Sequence, residues 1–163
     1  LLTYILFLNY FSNFEVLEWG EVKKGIKTSI ILNKKIYKQG EPVELILLIK
    51  NVTEKEIVWP DMIINFATII VKDSKDKPVD LTKYGKYYKG ASKDFAYYGE
   101  TIKANSIIYY RYQINKHIDL TMFDTYRVKM IFAIEDKDKY DEKKKLRFLT
   151  NVHTNEVLFK VIP

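Results

Sequence analysis

The chain is predicted to be all-β, an antiparallel sandwich of seven to eight strands behind an N-terminal apolar segment. Three observations predict it. Tyr37-Lys38-Gln39-Gly40-Glu41-Pro42-Val43 sets a turn glycine and a strand-opening proline directly before an apolar run ending at Asn51. That is the punctuation of a strand entering a core. Tyr126, Val128, Met130 and Phe132 alternate with Arg127 and Lys129, the period-two pattern of a half-buried strand. The apolar residues are rich in Ile, Val, Tyr and Phe, which suit a pleated surface.

Taken in order, the elements begin with residues 1–8, an almost wholly apolar run that Asn9, Ser12 and Asn13 interrupt. A membrane-crossing helix needs about 20 apolar residues, so this run is too short for one. It matches a secretory h-region and predicts a secreted, periplasmic or cell-surface protein. Residues 1–18 are therefore set apart from a single sandwich domain over 19–163. Ile26, Thr28, Ile30 and Leu32 alternate with Lys27 and Ser29 as a first strand, and Asn33-Lys34-Lys35 turns it. In the next strand Val43, Leu45, Leu47 and Ile49 point one way, Ile46 and Leu48 the other. Both faces of that strand must be covered.

Asn51-Val52-Thr53 opens a polar turn and also fits a glycosylation sequon; the turn alone explains it. Ile57-Val58-Trp59 is a short strand ended by Pro60, and residues 66–72 form another. Trp19 and Trp59 read as core or edge plugs. A polar turn at 73–77 leads to a short extended return at Val79-Asp80-Leu81. Residues 83–104, with Gly85, Gly90 and Gly99, are expected to be irregular. Extended structure resumes over 106–114, where either Tyr109 or Tyr110 should face the core. After the strand at 126–132, residues 135–145 read as a charged hairpin loop. Residues 146–149 and 157–161 close the sheet.

Asn33-Lys34-Lys35-Ile36-Tyr37-Lys38-Gln39-Gly40-Glu41-Pro42-Val43, the strand after it and Asn51-Val52-Thr53 resemble the opening of bacterial immunoglobulin-like domains. Among these the chain resembles the domain of the bacterial intracellular proteinase inhibitor family. Later pieces fall in the same order: Ile69-Ile70-Val71-Lys72-Asp73 then Pro78-Val79, Ile118-Asp119-Leu120 before Thr125-Tyr126-Arg127-Val128, and Thr154-Asn155-Glu156-Val157-Leu158-Phe159-Lys160-Val161 as a terminal strand. The likeness spans residues 26–162. It implies an immunoglobulin-like fold and offers proteinase inhibition as one function.

With 163 residues, 47% hydrophobic and 29% charged, one sizeable core is affordable. The absence of cysteine excludes disulfides, thiolate zinc sites and cysteine nucleophiles. No Gly-x-Ser-x-Gly elbow occurs, and His117 and His153 belong to no metal or triad spacing, so a non-enzymatic protein without cofactor or metal is expected. Asp136, Asp138, Asp141 and Glu142 lack the glycine and ligand spacing of a calcium loop. The net charge of +6 comes mostly from 24 lysines, with only three arginines. That composition disfavours sequence-specific nucleic-acid reading.

One segment departs from this background. Residues 83–112 hold eight of the thirteen tyrosines and a net charge of +4. Tyrosine offers a flat apolar face and a hydroxyl with few rotamers to freeze, which suits recognition. Tyr84, Tyr87, Tyr88, Lys89, Lys93, Phe95, Tyr97 and Tyr98 are the candidate partner-binding residues, for a protein or a glycan. The competing reading is that these rings cover the sandwich edge.

Overall fold

The computed structural model describes residues 17–60, 67–91, 99–135 and 149–163. Ten strands are present among them: β1 (Ile26–Leu32), β2 (Ile36–Lys38), β3 (Glu44–Asn51), β4 (Ile57–Pro60), β5 (Ala67–Lys72), β6 (Gly99–Ile102), β7 (Ile107–Gln113), β8 (Thr125–Glu135), β9 (Leu149–His153) and β10 (Val157–Ile162). One helix, α1 (Lys83–Ala91), and a 3-10 turn at Ile114–Lys116 complete the set. One sheet runs β1-β3-β7 and the other β2-β10-β8-β5, with β9 also on β8 and a small β4-β6 sheet beside them. Two such sheets, built mainly from antiparallel pairs, make a β-sandwich.

The count exceeds eight because the outer ribbons are broken. The turn at Asn33–Lys35 separates β1 from β2, which crosses to the other sheet and pairs in parallel with β10. That parallel pair is a departure from the all-antiparallel expectation. The last ribbon is split by a bulge. Ile131 pairs with His153 and Val128 with Val157, so two β8 residues face the three at 154–156. Thr154 bridges the gap. Its N–H donates to the Met130 carbonyl (3.0 Å), and its Oγ1 accepts the Met130 N–H (2.9 Å).

Alternation decides what is buried. On β8 Tyr126, Val128, Met130 and Phe132 all face the interior. Opposite them lie Ile26, Ile30, Leu45, Leu47 and Ile49, so the two inner faces fill one shared core. Phe159 sits between Tyr37 (5.7 Å, edge-on) and Tyr126 (5.4 Å, stacked). The Tyr126 hydroxyl donates to the Met122 carbonyl four residues upstream (2.7 Å), the tyrosine corner of immunoglobulin-type sandwiches. The Tyr37 hydroxyl donates to Asn33 Oδ1 (2.6 Å), and burial pushes its pKa up to about 12. Trp59 belongs to this core, edge-on to Phe132 at 5.8 Å.

The two-sided strand is confirmed. Ile46 and Leu48 on the outer face of β3 join Ile31 in a second buried cluster under Leu17 and Trp19. Lys27 Nζ lies 4.8 Å from the Trp19 ring. Segment 17–20 is stitched down: Ser29 donates to the Glu18 carbonyl (2.6 Å), and the Gly20 N–H donates to the Thr28 carbonyl (2.8 Å). A Cβ at Gly20 would fall 1.9 Å from the His153 carbonyl oxygen, so only glycine fits there.

Other expectations need adjusting. Residues 79–81 form no strand; Pro78 bridges to Lys72 and Leu81 to Ile118. The stretch expected to be irregular over 83–104 contains α1 and β6. Residues 1–16, the charged loop beyond Glu135 and the expected strand start at 146 lie outside the described residues.

Candidate functional site

Three connections meet at one end of the sandwich. They are the β2–β3 turn, the link from β5 into α1, and the segment from the 3-10 turn to β8. The first reverses at Gly40, whose φ of 78° is the left-handed region that glycine enters freely. Glu41 holds that turn: its carboxylate accepts the Lys38 N–H (2.9 Å) and pairs with Lys34. Hydrogen bonds from Lys34 and then Lys38 keep its pKa below the ordinary carboxylate value.

The second connection explains why a helix forms in a glycine-containing, Lys- and Tyr-rich stretch. Thr82 caps it. Its Oγ1 accepts the Gly85 N–H (3.0 Å), its carbonyl accepts the Lys86 N–H (2.9 Å), and its hydroxyl donates to the Lys116 carbonyl. This is an N-cap that also ties the helix to the 3-10 turn. Gly85 is not a breaker. A Cβ there would lie 2.2 Å from the His117 carbonyl oxygen, so glycine lets the helix rest directly on the 114–118 backbone. Gly85→Ala tests this. In a free helix Ala gains about 1 kcal/mol over Gly, yet here the substitution is expected to raise the hydrogen-exchange rates of the α1 amides. Slower exchange would show that the close approach carries no weight.

Spacing i, i+3, i+4 places positions 84, 87 and 88 on one helix face. Tyr84 is 46% exposed and Tyr87 72% exposed. The Tyr84 ring meets His117 edge-on at 5.0 Å. Burial, then Lys116, pushes the His117 pKa below its ordinary value, so the imidazole meets Tyr84 neutral near pH 7. Tyr88 and Lys89 continue the helix. Lys93, Phe95, Tyr97 and Tyr98 lie outside the described residues. Of the β7 tyrosines, Tyr109 is on the outer face, Tyr110 packs against the core and donates to Glu100, and Tyr112 is buried.

The third connection brings residues that sequence reasoning missed. Met122 is 72% exposed and Phe123 54% exposed. Asp119 Oδ1 accepts the Thr121 N–H (3.2 Å) and hydroxyl (2.7 Å). Asp124 accepts the Thr125 N–H (2.7 Å), and hydrogen bonds from Ser74 and Thr125 hold its pKa below the ordinary value. The apolar Met-Phe pair is thus presented between two aspartate-pinned turns. An apolar pair inside a polar turn was the available signal.

Between the three connections lies a cleft of about 220 Å³. Its apolar lining is Val43, Ile118, Leu120 and Val161. Gln39, Thr82, Asn115 and Asp119 are among the polar groups around it. Thr82 also caps α1, and Thr121, next to Met122, lines the cleft too. The cap of the helix and the residue before the Met122-Phe123 tip therefore border the same opening.

Among the described residues no group of three His, Asp or Glu could hold a metal ion, and no helix is long and apolar enough to cross a membrane. Neither a family model nor a curated protein matches the chain.

Proposed function

We propose that the chain is a non-enzymatic binding module, exported or held at a cell surface, whose contact surface is this end of the sandwich. The observation that carries the reading is the exposure of Tyr84, Tyr87, Met122 and Phe123, on two connections whose neighbouring residues Thr82 and Thr121 border one cleft. Large apolar side chains gathered on rigid supports are the usual anchors of protein interfaces. The apolar run at residues 1–8 supports export. Peptides selected from a random library on the immobilised protein should converge on this end. Changing those four residues to Ser should weaken the selected peptides roughly thirtyfold, the loss of one anchor of about 2 kcal/mol, without lowering the melting temperature. Peptides that bind the variant equally well would end this reading.

Proteinase inhibition is the second reading, and the pinned Met122-Phe123 turn favours it. A turn held at both ends meets a partner without ordering cost. Titrating serine, cysteine and metallo-proteinases should then give stoichiometric loss of activity in one class, and full activity in all three would dismiss it.

A further inference from the structure

We propose that the cleft at this end binds a single pyranose ring, such as the end unit of a glycan. The site is distinct from the aromatic contact surface, and its failure would leave that surface standing.

Three polar groups of the cleft are half used. Asn115 Oδ1 accepts the Val43 N–H (3.2 Å), which leaves the Nδ2 donors. Asp119 Oδ1 is taken by Thr121, which leaves Oδ2 as an acceptor. Gln39 Nε2 donates to the Thr121 carbonyl (2.6 Å), which leaves Oε1. Because the engaged half of each group fixes its orientation, the unused half is pre-set. One amide donor beside two acceptors is the complement of neighbouring hydroxyls, which donate and accept at once.

Shape and charge narrow the ligand. A space of about 220 Å³ is far more than one water needs and admits a ligand the size of one six-membered ring. A pyranose has an apolar C–H face for Val43, Ile118, Leu120 and Val161, and a hydroxylated rim for the polar groups. Asp119 and Glu41 repel an anion, and Lys38 repels a cation. A neutral polyol meets neither penalty.

Two near-isosteric substitutions invert the unused atoms while keeping the internal bonds. Asn115→Asp keeps an acceptor for Val43, and Asp119→Asn keeps one for Thr121. The full chain, labelled with nitrogen-15, is titrated with the methyl glycosides of glucose, mannose, galactose and N-acetylglucosamine, and with butylammonium and inorganic phosphate. At least one glycoside should give saturable amide shifts confined to residues 39–43 and 115–121, and each substitution should weaken it roughly tenfold, the worth of one hydrogen bond. The proposal is overturned if no glycoside saturates, if both variants bind as the parent does, or if only the ammonium or phosphate probe saturates the cleft.

Discussion

Replacing Asn51 with Ala is expected to lower the unfolding free energy by roughly 3–5 kcal/mol, among the largest effects of any single substitution of a polar residue. Asn51 is fully buried at the end of β3. Its Nδ2 donates to the carbonyls of Lys55 (2.7 Å), Ile102 (3.1 Å) and Lys103 (3.2 Å). Its Oδ1 accepts the Thr53 N–H (2.9 Å) and hydroxyl (2.8 Å). One amide thus ties β3 to the ends of β4 and β6. Ala removes every one of these bonds; the Lys55 and Lys103 carbonyls keep the Thr53 and Ser106 hydroxyls, while the buried Ile102 carbonyl and the Thr53 N–H lose this partner at about 1–3 kcal/mol each. Urea denaturation should show a lower midpoint at unchanged slope. A loss below about 1 kcal/mol would mean that water replaces the amide. The same geometry settles the sequon. The nitrogen a glycan would occupy is the atom holding those three carbonyls, so glycosylation of Asn51 is incompatible with this fold.

Phe159→Ala is the second large effect, an expected loss of about 4 kcal/mol, within the range for removing a buried aromatic ring. The ring fills the space between Tyr37 of β2 and Tyr126 of β8. Both tyrosines are anchored by their hydroxyls, so neither can move in to close the gap. For a chain of this size such a loss lowers the melting temperature by roughly 8–16 °C. A shift of less than about 3 °C would show that the core closes around the cavity. Tyr37→Phe, which removes only the bond to Asn33, should cost about 1 kcal/mol by comparison.

How much was legible in the sequence varies with the range of the interaction that decides each element. The alternation of β8 was readable because its neighbours in sequence already state which face is buried; in β1 the inward set Ile26, Ile30 and Leu32 was readable, but Ser29 and Ile31 on the face expected to be open are buried too. The two apolar faces of β3 even foretold a cover, which Leu17 and Trp19 supply. Helix α1 was not readable. Its composition contains two glycines and no strong helix formers beyond lysine and alanine, and it forms on a cap at Thr82 and a seat on His117. The seat lies on a segment more than thirty residues away, and the cap, itself local, is tied to that segment through Lys116. The parallel pairing of β2 with β10 joins the two ends of the sandwich sequence and leaves no local trace.

The candidate surface divides in the same way. Clustered tyrosines pointed to α1, and Tyr84 and Tyr87 are exposed there. Tyr112 is buried and Tyr110 half-buried against the core, and their shared inward direction follows from strand alternation. Gln39, Asn115 and Asp119 drew no notice because each looks like an ordinary turn residue. Only the meeting of three connections makes them neighbours.

The edge of β1 carries a last consequence. Ile26 exchanges backbone bonds with Lys23, Thr28 receives the Gly20 N–H, and Ile30 gives its N–H to Asn155 Oδ1 (2.7 Å) while its carbonyl accepts from Asn155 Nδ2 (3.1 Å). A side-chain amide from the bulge therefore impersonates a missing strand. Another molecule seeking to add its own ribbon along this border finds the sockets already filled, which guards that side of the sandwich against runaway self-association.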